Sequence, residues 1–198
     1  MKPNPFRIST TEALHIGISV ITVAFAFTLF PAGTFTFERF LLIFLTLGLG
    51  FVLHELGHKY VAIKYGAKAE YRAWTTGLFA ALALAWITNG NFIFAAPGAV
   101  YIFGKAVSKE QNGRIALAGA TVNLLLAWVF LVFGIVFPEF ALLAGVGVYV
   151  NSFLGLFNLI PVPPLDGSKV YSWNKTAWAA IALLLFLTWV FNPFTYSL

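Results

Sequence analysis

The stretch GLGFVLHELGHKYVA, residues 48–62, places His54, Glu55 and His58 where the surrounding apolar pattern calls for Leu or Phe. On a helix, positions i and i+4 share a face, so His54 and His58 aim two imidazoles at one point. Gly57 beside them lets another segment or a substrate come close. The arrangement has the form HExxH, in which two histidines hold zinc and the glutamate acts on a water activated by the metal. The plain alternative makes them core histidines with Glu55 paired to Lys59 one turn on. The surrounding solvent decides between these readings, because an ionisable group inside a bilayer costs about 2.5–3.5 kcal/mol on insertion scales and usually marks function.

That solvent is lipid. Hydrophobic residues make up 60% of the chain and charged residues 10%, with 22 Phe in 198 positions, against roughly 25% charged in a soluble domain. The composition predicts an all-α polytopic membrane protein with about five to six transmembrane segments. Apolar runs cover 13–30, 40–62, 74–88, 115–136, 140–160 and 177–191. The first follows Lys2 and Arg7, but the Pro31-Ala32-Gly33 after it lacks small residues at both cleavage-site positions, so a retained anchor is expected rather than a signal peptide. No repeat, linker or soluble domain interrupts the chain, and 1–198 reads as a single membrane domain. Its core spans about 40–170, with flanking helices at 13–30 and 177–191.

The net charge of +5 is scattered among the apolar runs and forms no stripe, so no nucleic acid is expected as a partner. It gives orientation instead. With the N-terminus cytoplasmic, Lys2, Arg7, Lys59, Lys64, Lys68, Arg72, Lys105, Lys109, Arg114, Lys169 and Lys175 fall inside, and of the 12 basic residues only Arg39 falls outside. This requires residues 73–104 to enter and leave on one side, a re-entrant helix plus β-hairpin between the HExxH helix and the next core helix. Asn89-Gly90-Asn91 ends the helical half. The other half, FIFAAPGAVYIFG (92–104), is broken by Pro97-Gly98, read as the turn between two short strands. Irregular backbone at membrane depth must be covered by protein or line a cavity, so Pro97, Gly98, Ala99 and Val100 are candidate substrate-binding residues. Helix geometry puts His54 roughly 12 Å below the inner end of its segment, counted from Ala62.

A catalytic zinc takes three protein ligands and keeps one position open. Without cysteine, the third donor must be nitrogen or oxygen. The remaining histidine is His15 and the sole aspartate is Asp166. Asp166 lies in FNLIPVPPLDGSKV (157–170), where Pro161, Pro163 and Pro164 end a helix; Asp-Gly after prolines is more commonly a turn. The charge-derived orientation puts Asp166 and His58 toward the same inner end.

The HELGH of 54–58 together with the NLIPVPPLDG of 158–167 resembles the site-2 protease family, zinc metalloproteases that cleave transmembrane segments of other proteins. The resemblance covers roughly 40–170 and suggests the compact form, without PDZ or nucleotide-sensing domain, so no nucleotide partner is expected. It implies one Zn2+ held by His54, His58 and Asp166, with Glu55 as catalytic base and Asn158 stabilising the intermediate or positioning Asp166. Gly119-Ala120-Thr121-Val122-Asn123 is similar to a Gly-Pro-x-x-Asn motif of that family, with Ala120 for proline, which implies that Asn123 binds substrate backbone. Apart from the resemblance, Asn123 reads as an interhelical hydrogen-bonding residue. Ser168 stands where many members carry a second glycine.

Other proteolytic chemistries lack their residues: a two-aspartate mechanism needs a second Asp, and no serine lies in a Gly-x-Ser-Gly-like setting. The chain is therefore expected to be a zinc metalloendopeptidase, integral and multi-pass, with its site opening toward the cytoplasm and a transmembrane protein as substrate within the lipid bilayer. The alternative is a metal or proton transporter using the same His/Asp cluster. An inactive relative that holds membrane proteins without cutting them would not need the intact Glu55.

Overall fold

The computed structural model describes residues 7–29, 34–94, 96–104 and 106–194. Seven helices and two strands follow in the order α1 (Thr10–Thr28), α2 (Phe37–Lys64), β1 (Lys68–Ala73), α3 (Thr75–Ile87), β2 (Gly98–Phe103), α4 (Lys109–Val136), α5 (Ala141–Asn158), α6 (Asp166–Trp173) and α7 (Lys175–Val190). A 3-10 turn at Pro138–Phe140 leads into α5. Polar side chains start several of these helices where the apolar runs begin. Ser9 accepts from the Glu12 amide and Thr36 from Arg39. Ser108 and Gln111 form a reciprocal capping box on α4, and Asn174 caps α7; each such cap contributes about 1 kcal/mol.

Among the described residues, four helical stretches are long and apolar enough to cross a membrane: α1, α2, α4, and α5 with its leading turn. Five to six were expected. The difference lies in α3 and α7, which are apolar but 13 and 16 residues long, short of the about 20 that a perpendicular crossing needs. The main core lies where α1, α2 and α5 meet the sheet, and includes Val23, Phe27, Ile43, Leu47, Tyr71 and Val146. A second core joins α4 to α7 around Ala120, Leu159, Val170 and Leu185.

The β-hairpin folded about Pro97-Gly98 is not formed. Strand β2 starts at Gly98 and pairs antiparallel with β1, with Lys68 opposite Phe103 and Ala73 opposite Gly98. The break at Pro97 ends an extended return from α3, and its carbonyl accepts from Trp74 N at 2.7 Å. The paired strands therefore bracket α3. The segment leaves and rejoins the same level of the bundle, while its far end, near Ala85, packs on Ala26 and Leu29 at the opposite end of α1. Asn89 and Gly90, both at positive φ, end α3 there.

Helix α1 fixes the outer side of this sheet. The Tyr71 amide donates to Glu12 Oε1 at 3.1 Å and the Ala73 amide to His15 Nδ1 at 3.3 Å. Ser19 and Tyr71 share a hydroxyl–hydroxyl bond of 2.8 Å, and Ser9 donates to Glu70. Glu12 also pairs with Lys59 of α2, so one buried carboxylate joins α1, α2 and β1. The suggested Glu55–Lys59 pair is thus replaced, and His15 is engaged at the sheet rather than near His54.

Candidate metal centre

Helix α2 carries His54, Glu55 and His58 into the interior, where all three are buried. Asp166 opens α6 from the other side of the cleft. The chain reaches it through the irregular segment 159–165, which the three prolines hold out of helix. That segment is anchored by Trp178 of α7, whose Nε1 donates to the Leu159 carbonyl at 2.6 Å. Main chain at Leu159 leaves no space for a Cβ on Gly167, which accounts for the glycine after Asp166. Ser168, in place of the second glycine, donates to the Leu165 carbonyl at 2.7 Å and closes the first turn of α6.

The donors converge. His58 Nε2 lies 3.0 Å from His54 Nε2 and 2.8 Å from Asp166 Oδ2, and His54 Nε2 lies 3.5 Å from the same oxygen. Ligands arranged tetrahedrally at about 2.0–2.1 Å from zinc stand about 3.3 Å apart, so the three separations bracket that spacing. Both Nδ1 atoms face acceptors: Asn123 Oδ1 at 2.6 Å for His54, and the Ile115 carbonyl at 2.7 Å for His58. The Ile115 carbonyl can only accept, which makes His58 Nδ1 a donor and turns the lone pair of its neutral ring outward from Nε2; the Asn123 oxygen does the same for His54. Two lone pairs and a carboxylate oxygen pointing at one another repel unless a cation lies between them.

Lys169 Nζ sits 2.9 Å from Asp166 Oδ1, leaving Oδ2 to face the histidines. Glu55 lines the same cleft, and its Oε2 is buried without a hydrogen-bond partner. Such an atom costs about 1–3 kcal/mol or more, a cost suited to a carboxylate kept for a reacting proton. The donor set and the unpartnered carboxylate fit a zinc site.

The cleft is small, with room of about 50 Å3, and is lined by Gly98, Ala99 and Val100 of β2 opposite the histidines, and by Asn158. Pro97 lies outside the lining. Asn158 donates Nδ2 to the Leu154 carbonyl of its own helix at 3.0 Å rather than to Asp166. Asn123 fits the interhelical hydrogen-bonding reading and not the substrate-binding one. It is fully buried; its oxygen faces His54 and both amide hydrogens are taken by the Gly50 carbonyl and Asn151, so no polar atom of it is left for a substrate. Its place is behind His54. Sequence reasoning passed over Lys169 and Asn151. Lys169 had a signal, three residues after Asp166 on a helix that starts there; Asn151 had none.

Comparison with known proteins adds an independent line. The chain is 42% identical over 183 residues to a Methanocaldococcus jannaschii protein named "Putative zinc metalloprotease MJ0611", covering 91% of this chain and 93% of that one. The chain belongs to the zinc metalloproteases. A second protein of that organism, "Zinc metalloprotease MJ0392", is 33% identical over 132 residues, covering 65% of this metalloprotease and 32% of the longer relative. No protein-family model and no solved structure matches the chain.

Proposed function

We propose that this metalloprotease hydrolyses peptide bonds in or beside transmembrane segments of other membrane proteins, in the manner of the site-2 proteases it resembles. The observation that carries the reading is where the donors lie. His54, His58 and Asp166 meet within the length of α2, a 28-residue helix apolar enough to cross a membrane, and not in a solvent-facing domain.

Zinc held by these three residues supplies Lewis-acid chemistry, acidifying water and polarising the scissile carbonyl. Glu55 takes the proton of the attacking water as the C–O bond forms and delivers it to the amide nitrogen as the C–N bond breaks, a role worth roughly 10²–10⁴-fold. Asn158 has a second N–H to offer the developing oxyanion. The substrate must be extended, because helical carbonyls are already hydrogen-bonded; β2 offers replacement bonds by strand addition. Tyr71 and Ala73 of β1 turn their amides outward to α1. In antiparallel pairing, directly opposed residues point their backbone groups either toward each other or both away, so Val100 and Gly98, which oppose the outward-turned Tyr71 and Ala73, direct theirs to the outer edge of β2. The basic residues favour a cytoplasmic N-terminus and a cytoplasmic opening, and the bracketed α3 segment is the re-entrant element.

The test compares wild type with Glu55→Gln in liposomes containing a single-span substrate, measuring bound zinc and cleavage. Zinc content is expected to stay at one per chain while cleavage falls at least a hundredfold. Unchanged cleavage removes Glu55 from the mechanism, and ion flux that survives the substitution points to transport.

A further inference from the structure

Behind the histidines, three helices exchange hydrogen bonds through fully buried amides. His54 Nδ1 lies 2.6 Å from Asn123 Oδ1. Asn123 Nδ2 donates to the Gly50 carbonyl at 3.3 Å and to Asn151 Oδ1 at 3.1 Å. Asn151 Nδ2 in turn donates to the Gly147 carbonyl at 2.9 Å. Asn123 and Asn151 are both 0% exposed.

Two of these acceptors are main-chain carbonyls, which cannot donate, and they determine which way round each amide lies. Asn151 must turn its nitrogen to Gly147, so its oxygen faces Asn123. Asn123 must turn its nitrogen to Gly50 and Asn151, so its oxygen faces His54. An oxygen there makes Nδ1 of His54 the donor and keeps the Nε2 lone pair aimed at His58 and Asp166. The polarity of the chain of bonds thus begins on α5 and ends at the metal-binding nitrogen.

We propose that Asn151 is a positioning residue of the metal centre: acting through Asn123, it holds His54 in the tautomer and ring orientation that bind zinc. The inference rests on His54, His58 and Asp166 being the zinc ligands. Gly50 alone does not suffice, because Asn123 Nδ2 carries two hydrogens and the Gly50 bond is the longer of the two. Without Asn151, one buried hydrogen is left unpaired, and the Asn123 amide is held against His54 by the longer Gly50 bond alone. The packing is cut to this contact, since a Cβ on Gly50 would collide with Asn151 Oδ1.

A purely structural Asn151 would tie α5 to α4 without affecting the metal, and zinc affinity separates the two roles. Full-length protein in detergent is stripped of metal, and its zinc affinity is read by competition with a chelator. Asn151→Leu and Asn151→Ala remove the acceptor, one keeping bulk and one adding none, so a folding failure of either leaves the other. Asn151→Asp, protonated in this interior, keeps the pattern: its carbonyl accepts from Asn123 and its O–H donates to Gly147. The two apolar variants are expected to bind zinc at least about tenfold more weakly, while Asn151→Asp stays within about threefold of wild type. In an Asn123→Ala background, adding Asn151→Ala is expected to change nothing further. Wild-type affinity in the apolar variants, or a full additional loss in the double variant, overturns the proposal. Absence of zinc binding by wild type removes the metal reading itself.

Discussion

Gly119 shows how closely the metal centre is built. Helix α4 passes the two imidazoles at this residue, and a Cβ there would come within 2.5 Å of His54 Nε2 and 2.6 Å of His58 Cε1. Neither ring can swing clear without breaking its Nδ1 bond to Asn123 or to Ile115. Replacing a mid-helix glycine by alanine ordinarily favours the helix by about 1 kcal/mol, so Gly119→Ala is expected to leave the fold intact while displacing the ligands. Zinc per chain should fall from one to well below half with an unaltered circular-dichroism spectrum, and full zinc occupancy would contradict the geometry. At this scale the sequence was informative where residue type is rare or spacing is local. His54 and His58 are one helical turn apart, and Asp166 is the sole aspartate. It marked Asn123 as an interhelical hydrogen-bonding residue but could name neither its partners nor Asn151, because the partner of a buried amide depends on which helix comes to face it, and nothing within its own helix specifies that.

Strand pairing fails to be legible for the same reason at the scale of elements. Pro97-Gly98 carries a true local signal, an interruption before an extended run, but a proline and a glycine cannot say which strand the run will join. The partner, β1, precedes α3 by sequence and meets β2 only after that helix has folded back. Its placement comes from α1, whose Glu12 and His15 side chains occupy the outward amides of β1. Among the described residues no further strand pairs with β2, whose outer edge is left open. This yields a prediction specific to register. Val100 opposes Tyr71 and its N–H points to the open edge, so Val100→Pro removes a donor the sheet does not use. Tyr101 opposes Glu70, in a pair that bonds across the sheet, so Tyr101→Pro breaks the ladder. Val100→Pro is expected to raise KM for a membrane substrate at least about tenfold with the zinc content unchanged. Tyr101→Pro should reduce both activity and thermal stability. Equal behaviour of the two variants would show that the edge is not used.

For the whole molecule, the proposed orientation ties apolar length to the distribution of charge. The helices α2 and α4 have 28 residues each, about 42 Å at 1.5 Å per residue, more than the about 30 Å of hydrocarbon they would cross. In the proposed orientation their excess length falls at the basic ends, near Lys64 and Lys109, while Glu139 lies in the 3-10 turn at the opposite end. Apolar length made the four long helices readable from the sequence; the run at 177–191 counts toward the expected spans although, as α7, it has only 16 residues. The absence of cysteine makes the orientation directly testable with single introduced thiols. In intact cells, Glu139→Cys is expected to react with an impermeant maleimide added outside, whereas Lys64→Cys and Lys109→Cys react only after the membrane is opened. Lys109 opens α4 and is 51 residues from His58 in sequence, yet His58 binds the Ile115 carbonyl early in α4, so labelling at Lys109 also reports the side nearest the candidate metal centre. The reverse pattern would put the His54–Asp166 cleft toward the outside and give the protease access to substrates from the opposite face.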